Sequence, residues 1–91
     1  MARRPAPKHL GEKLLQIRTA LGLSQAGIVE MLDYRESPLY AAQISNFEQG
    51  KREPPLQLLL AYARLANIPL EILADDNLTL PAQLPARRTR R

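Results

Sequence analysis

Glycine and proline interrupt the helical spacing of apolar residues so often that this chain is limited to short helices. The clearest apolar stripe recurs at intervals of three and four residues, at Leu10, Leu14, Ile17 and Leu21. This spacing buries one face of an α-helix. Gly22 follows that stripe and Gly50 follows a later one, as is typical of residues that close a helix C-terminus. No segment predicts a β-strand, so we expect an all-α domain of five short helices.

The bounds of the helices follow from capping residues. Helix one is predicted over residues 8–21, and Ser24 is a suitable N-cap for helix two. After a polar connection at residues 33–37, Ser37-Pro38 is typical of a helix start, so helix three is predicted to begin as early as Pro38 and to end near Gln49. Helix four is predicted over residues 56–66, with Asn67 as its C-cap. A short helix five is predicted over residues 70–73.

Each helix has a predicted inward face. In helix three the stripe is Tyr40, Ile44 and Phe47. The other inward positions are Ile28, Val29 and Leu32 in helix two and Leu56, Leu59, Leu60 and Ala63 in helix four.

The opposite face of helix three is short, uncharged and rich in hydrogen-bonding groups. It carries Ala42, Ser45, Asn46 and Gln49, with Gln43 at its flank, and Lys51 and Arg52 follow directly. Asparagine and glutamine can bond an adenine edge, serine reaches several bases and alanine can touch a thymine methyl. Lysine and arginine hold phosphates. The alternative is an ordinary solvated surface of an amphipathic helix.

Charge is divided unevenly along the 91 residues, which are enough for one small domain. The net charge of +4 comes from the two ends, residues 1–8 and 87–91, whereas the stretch between them holds six basic and nine acidic residues. We therefore expect a flexible basic arm at residues 1–7, a domain at residues 8–76 and an extended basic tail at residues 77–91. Leucines at 78, 80 and 84 are expected to pack either on the domain or against a second subunit.

Nothing in the sequence favours an enzyme. His9 is the only histidine and there is no cysteine, so we expect no metal and no cofactor. Ser24 and Ser37 are interpreted as helix caps, and the carboxylates form no catalytic motif. No apolar stretch reaches the length of a membrane span and no signal peptide is visible, which fits a cytoplasmic protein.

Three ordered segments, LGEKLLQIRTALGLSQ, ISNFEQGKREPP and LLLAYARLANIPLEIL, carry a family resemblance. They lie between residues 10 and 73 and resemble the lambda-repressor-like helix-turn-helix domain of bacterial regulators of the Cro/repressor or xenobiotic-response-element type. The resemblance implies a transcriptional regulator that binds double-stranded DNA at a two-fold symmetric operator as a homodimer.

The resemblance also implies individual roles. The residues that would lie at base edges are Ala41, Ala42, Gln43, Ser45 and Asn46. Those that would contact phosphates are Gln25, Gln49, Lys51 and Arg52. Arg18 and Glu48 match an ion pair that joins helix one to the recognition helix.

This sequence departs from the family pattern at three places. The connection at residues 33–40 is about five residues longer than usual, Val29 stands where a small residue is usual, and Ala41 and Ala42 offer no hydrogen bonds at base-facing positions. Direct readout would then depend on Gln43, Ser45 and Asn46, together with DNA shape. The alternative function is a protein-interaction module of the same fold, an antitoxin or adaptor with only non-specific DNA affinity.

Overall fold

A computed structural model describes residues 8–85 of the chain. Five α-helices are present in that range and no strand: α1 Leu10–Ala20, α2 Gln25–Leu32, α3 Ala41–Glu48, α4 Leu56–Ala66 and α5 Leu70–Ala74. The prediction of an all-α domain with five short helices is confirmed. The predicted arm at residues 1–7 and the arginines at the C-terminal end lie outside the described residues.

One apolar core joins the five helices. Helix α1 packs against α3 and α5, α2 packs against α3 and α4, and α4 packs against α5. The largest side chains that are fully removed from solvent come from every helix: Leu14, Ile17, Ile28, Ile44, Leu58, Tyr62 and Leu73. Because all five helices contribute to a single cluster, the position of α3 is set by packing on α1 and α2 together.

The predicted caps at Ser24, Gly22, Gly50 and Asn67 are observed, whereas Ser37, which was predicted to cap helix three, caps no helix of the described residues. The Oγ atom of Ser24 accepts a hydrogen bond from the backbone N–H of Gly27 at 2.9 Å, as expected of an N-cap. Gly22, Gly50 and Asn67 all have positive φ angles after helices α1, α3 and α4.

The predicted start of helix three at Pro38 is wrong. Helix α3 begins at Ala41, and Tyr40 is its N-cap with an extended backbone. The side-chain Oε1 of Gln43 accepts the backbone N–H of Tyr40 at 2.8 Å, which fixes the first turn at this residue. Tyr40 was also predicted to be buried, but it is 64% exposed because the N-cap precedes the buried stripe of Ile44 and Phe47.

Leu56 was likewise predicted to face the core and is instead 64% exposed. The buried stripe of α4 runs through Leu58, Leu59, Tyr62, Ala63 and Ala66. Leu56 shares a helix side with Ala63, seven residues later, but it is the first residue of α4 and is not part of the core cluster.

The segment after α5 returns to the domain. Leu80 and Leu84 pack against the core, which is the first of the two alternatives for these leucines. The side-chain Nδ2 of Asn67 also donates a hydrogen bond to the carbonyl of Pro85 at 3.1 Å. The described chain therefore ends beside the C-terminus of α4.

Helices α1 and α3 cross unusually closely at Gly11. A Cβ atom built at this position would lie 2.6 Å from the carbonyl oxygen of Glu48 and 2.9 Å from that of Phe47. Both obstacles are backbone atoms, which cannot rotate away as a flexible side chain would. Only glycine allows the two helices to reach this distance.

Gly11→Ala should therefore lower the free energy of unfolding by about 1–3 kcal/mol, the usual cost of overpacking a close contact. In an exposed helix the same substitution would raise it by about 1 kcal/mol, because alanine favours helix formation. Urea denaturation measures the difference. Thr19→Ala, at an exposed position of α1, is the control and should not be destabilising. A Gly11→Ala variant as stable as the parent would contradict the close crossing.

Candidate nucleic-acid interface

The outer face of α3 carries the polar residues that the sequence predicted there. Ala42 and Gln49 are exposed, and Ser45 and Asn46 are half-buried. On the opposite side of the helix, Ile44 is fully buried and Phe47 is 6% exposed. The helix thus has one apolar face in the core and one uncharged polar face toward solvent.

Two of the predicted base-facing side chains are already hydrogen-bonded within the protein. The Nε2 atom of Gln49 donates to the Oγ atom of Ser45 at 2.6 Å. The Oε1 atom of Gln43 caps the backbone of Tyr40, as described above. Gln43 keeps its amide donors, but its acceptor is committed to the start of the helix.

Asn46 differs from these neighbours. Within residues 8–85, its side-chain amide makes no hydrogen bond to the protein, although the residue is only half exposed. A donor and an acceptor at the centre of the face are therefore free to bond an external partner. Ala42, one turn earlier, has no polar atom beyond its backbone, and half-buried Ala41 adds none. These small side chains leave room for a close approach.

The turn after α3 presents two cations. Gly50 has a φ angle of 76°, and the N–H groups of Gly50 and Lys51 close the helix by donating to the carbonyls of Phe47 at 3.2 Å and Asn46 at 2.9 Å. The chain turns here, and both Lys51 and Arg52 are exposed. Neither side chain has an acidic partner in the part of the chain that is described. Their charges are available to an anion.

A buried ion pair joins α1 to α3. The Nε of Arg18 lies 2.6 Å from Oε2 of Glu48, and its second terminal nitrogen lies 3.0 Å from Oε1. The remaining nitrogen donates to the carbonyl of Leu23 at 3.0 Å. The hydrogen bond to Glu48 raises the pKa of Arg18, and the side chain of Glu48 is only 5% exposed. The planar fork fixes the angle between two helices, even though desolvation offsets much of its attraction.

Gln25 joins this cluster from α2. Its Nε2 donates to Oε1 of Glu48 at 3.3 Å, so the side chain that was predicted to meet a phosphate is directed at a carboxylate of the protein. The backbone amides of Gln25 and Ala26 have no acceptor within residues 8–85. These two backbone amides lie at the positive end of the helix dipole. They, and not the side chain of Gln25, are the groups here that suit an anion. The phosphate role of Gln25 stays a prediction.

Tyr62 is a residue of this cluster that no sequence pattern predicted. It is fully buried on α4, and its hydroxyl has no hydrogen-bond partner among residues 8–85. Burial raises the pKa of this hydroxyl far above its ordinary value of 10.0, and the negative charge of nearby Glu48 raises it further. No rule of residue spacing predicts that a tyrosine of α4 lies buried near the Arg18–Glu48 pair with its hydroxyl unpaired.

The described residues also limit other functions. Between residues 8 and 85, no cluster of acidic or histidine side chains is arranged to hold a metal ion, and no helix in that range has the length and apolar content to cross a membrane. Comparison of the chain with protein families, curated proteins and solved structures gave no match.

The buried hydroxyl of Tyr62 gives a prediction for alkaline pH. The unfolded chain releases the tyrosine proton from pH 10 upward, whereas the folded protein retains it. Unfolding then releases a proton, and stability falls with rising pH by about 1.4 kcal/mol per unit. In Tyr62→Phe this contribution to the slope should vanish, and at neutral pH its stability should equal or exceed that of the parent because an unpaired hydroxyl is removed.

Urea denaturation between pH 8 and 11 measures this effect. Tyr40→Phe, which removes an exposed hydroxyl, is the matched control and should follow the parent curve. If the Tyr62→Phe and parent curves stay parallel above pH 10, the hydroxyl is not buried as described.

Proposed function

We propose that this protein is a sequence-specific regulator of transcription that binds double-stranded DNA. In this proposal α2 and α3 are the two helices of a lambda-repressor-like helix-turn-helix domain, and α3 lies in the major groove. The observation that carries the proposal is the outer face of α3. It is uncharged, it has a free amide at Asn46, and exposed Lys51 and Arg52 border it.

The chemistry of this face matches base edges. Asparagine bonds the N6 and N7 atoms of adenine through the donor and acceptor that Asn46 has free. Ala42 beside it offers a methyl group to the thymine methyl. The hydrogen bond between Gln49 and Ser45 holds these two side chains in place, which limits the entropy that binding would cost.

The surroundings of the face match the DNA backbone. Lys51 and Arg52 lie at the C-terminal end of α3, and the free amides of Gln25 and Ala26 lie at the N-terminus of α2. Phosphate contacts of this kind position a protein on DNA, while base contacts supply sequence preference. The Arg18–Glu48 pair would hold α3 at a constant angle to both sets of contacts.

One domain of this size reads few base pairs, so we propose a homodimer on a two-fold symmetric operator. Regulation would follow from occlusion of a promoter or recruitment to it, without chemistry on the DNA. Such a regulator works in the cytoplasm, where bacterial DNA is accessible.

Selection from a pool of random duplex DNA at two salt concentrations tests the proposal. Enrichment of a palindromic site is expected, and its half-site spacing would give the geometry of the dimer. If no sequence is enriched and binding is weak and purely salt-dependent, the proposal is wrong. The face of α3 would then be a protein-docking surface.

Asn46→Ala should weaken binding to the selected site by about 1–3 kcal/mol and relax preference at one base pair. Asn77→Ala is the matched control, because it removes an exposed asparagine outside α3. Competition with site variants measures both affinity and preference. An unchanged affinity would show that Asn46 reads no base.

Lys51→Ala should weaken binding to all sequences alike and reduce the slope of log affinity against log salt by about one. The control is Arg64→Ala, which removes an exposed cation of α4. Titration of DNA with both variants over a range of salt concentrations measures the affinities and the salt slopes. A loss confined to one sequence would contradict a phosphate role for Lys51.

A further inference from the structure

The N-terminus of α1 is capped from the far end of the domain. His9, its N-cap residue, supplies no side-chain hydrogen bond to the helix. Instead the carboxylate of Asp76 accepts the backbone N–H of Lys8 at 2.8 Å and that of His9 at 3.1 Å. These bonds lower the pKa of Asp76. A residue after α5 thus fixes the point at which α1 begins.

That point lies beside the cations of the candidate interface. Lys8, Lys51 and Arg52 line one groove between the start of α1 and the turn after α3, together with Gly11 and Phe47. Among the described residues of this lining Glu53 is the only acidic one, so three of their positive charges face one negative charge. The close crossing at Gly11 is what brings the start of α1 to this turn.

The cations of this groove are exposed, and Lys8 has no acidic side chain paired with its ammonium group in residues 8–85. Asp76 binds the backbone of Lys8 and leaves the side chain free. By contrast, buried Lys13 donates its amine to the carbonyls of Ile72 at 2.7 Å and Asp75 at 2.9 Å, so its charge is used inside the protein. Lys8 alone among the lysines of α1 and its cap can reach an external anion.

We propose that Lys8 is a phosphate-contacting residue of the DNA interface and that Asp76 is the positioning residue that holds it in this groove. The inference rests on the proposed DNA-binding function and extends the phosphate-contacting surface from the turn after α3 to the start of α1. The ligand is a backbone phosphodiester next to the bases that α3 reads. Asp76 acts through geometry alone, since its own negative charge opposes the approach of DNA.

Because the charge of Asp76 and its positioning role affect DNA affinity in opposite directions, the direction of the change in affinity distinguishes them. Removal of a carboxylate near DNA raises affinity if only charge matters. If Asp76 positions Lys8, Asp76→Ala should instead lower affinity. Glu12→Gln, which removes an exposed negative charge at the same end of α1, is the control and should leave affinity equal or slightly higher.

The experiment measures affinity of the full chain for the selected site and for random duplex over a range of salt concentrations. Lys8→Ala should reduce the salt slope by about 0.9, which corresponds to a roughly eightfold loss at 0.1 M salt on both DNAs. Lys8→Arg should restore the slope. Asp76→Ala should lower the affinity of the parent protein by part of the loss seen in Lys8→Ala. It should not lower the affinity of a protein that already carries Lys8→Ala.

Two results would overturn the assignment while leaving the proposed function intact. One is a parent protein that selects a site, with a Lys8→Ala variant whose salt slope is unchanged. The other is an Asp76→Ala loss that persists in full without Lys8. If Asp76→Ala does not fold, Asp76→Asn, which keeps one acceptor oxygen, takes its place, and the Lys8→Ala slope still decides. A parent protein that selects no site would refute the proposed function itself.

Discussion

Glu48 is the residue on which the arrangement of the helices depends. Its carbonyl oxygen lies only 2.6 Å from where a Cβ atom of residue 11 would be, so the backbones of α1 and α3 are in close contact. Its carboxylate receives Arg18 from α1 and Gln25 from α2. Replacement of Arg18 would leave the carboxylate of Glu48, whose side chain is only 5% exposed, without a compensating charge, which is costly in a medium of low polarity. The pair therefore constrains geometry more than it adds net stability, and the geometry that it constrains is the orientation of the polar face of α3.

This constraint explains how a long connection is compatible with a fixed α3. The residues between α2 and α3 are mostly exposed, and Asp33 starts the connection with a positive φ angle. A connection of this kind does little by itself to fix the orientation of α3. Gln43 fixes the first turn of α3, Ile44 and Phe47 fix its inner face, and Glu48 fixes its last turn. Because each anchor lies inside the helix, the length of the connection can vary without rotation of the outer face.

Local signals in the sequence predicted most of the fold, and the misses have two causes. Caps such as Ser24 and Gly50 act over three or four residues, so their effect is readable from the chain. Tyr40 and Leu56 were misassigned because a helical stripe was extended to the very start of each helix: Tyr40 is an N-cap with an extended backbone, and Leu56 is the first residue of α4, outside the core cluster. The contacts of Gly11, Tyr62 and Asp76 join residues that are far apart in sequence, and no spacing rule relates them. On the candidate site, the outer face of α3 was predictable from helical rotation, but the use of Gln43 as a cap was not.

Net charge describes this protein poorly, because three of the seven lysines and arginines in residues 8–85 are engaged by other groups of the protein. Lys13 caps the last turn of α5, Arg18 pairs with Glu48, and Arg35 pairs with Asp33 at 2.9 Å. Within the described residues, the cations that have no such partner are Lys8, Lys51, Arg52 and Arg64. Three of these four line one groove. An approaching polyanion responds to the local field within a distance of about 10 Å at ordinary salt, not to the total charge. A body with more acidic than basic residues can therefore still present a cationic surface, provided that the cations left free lie together.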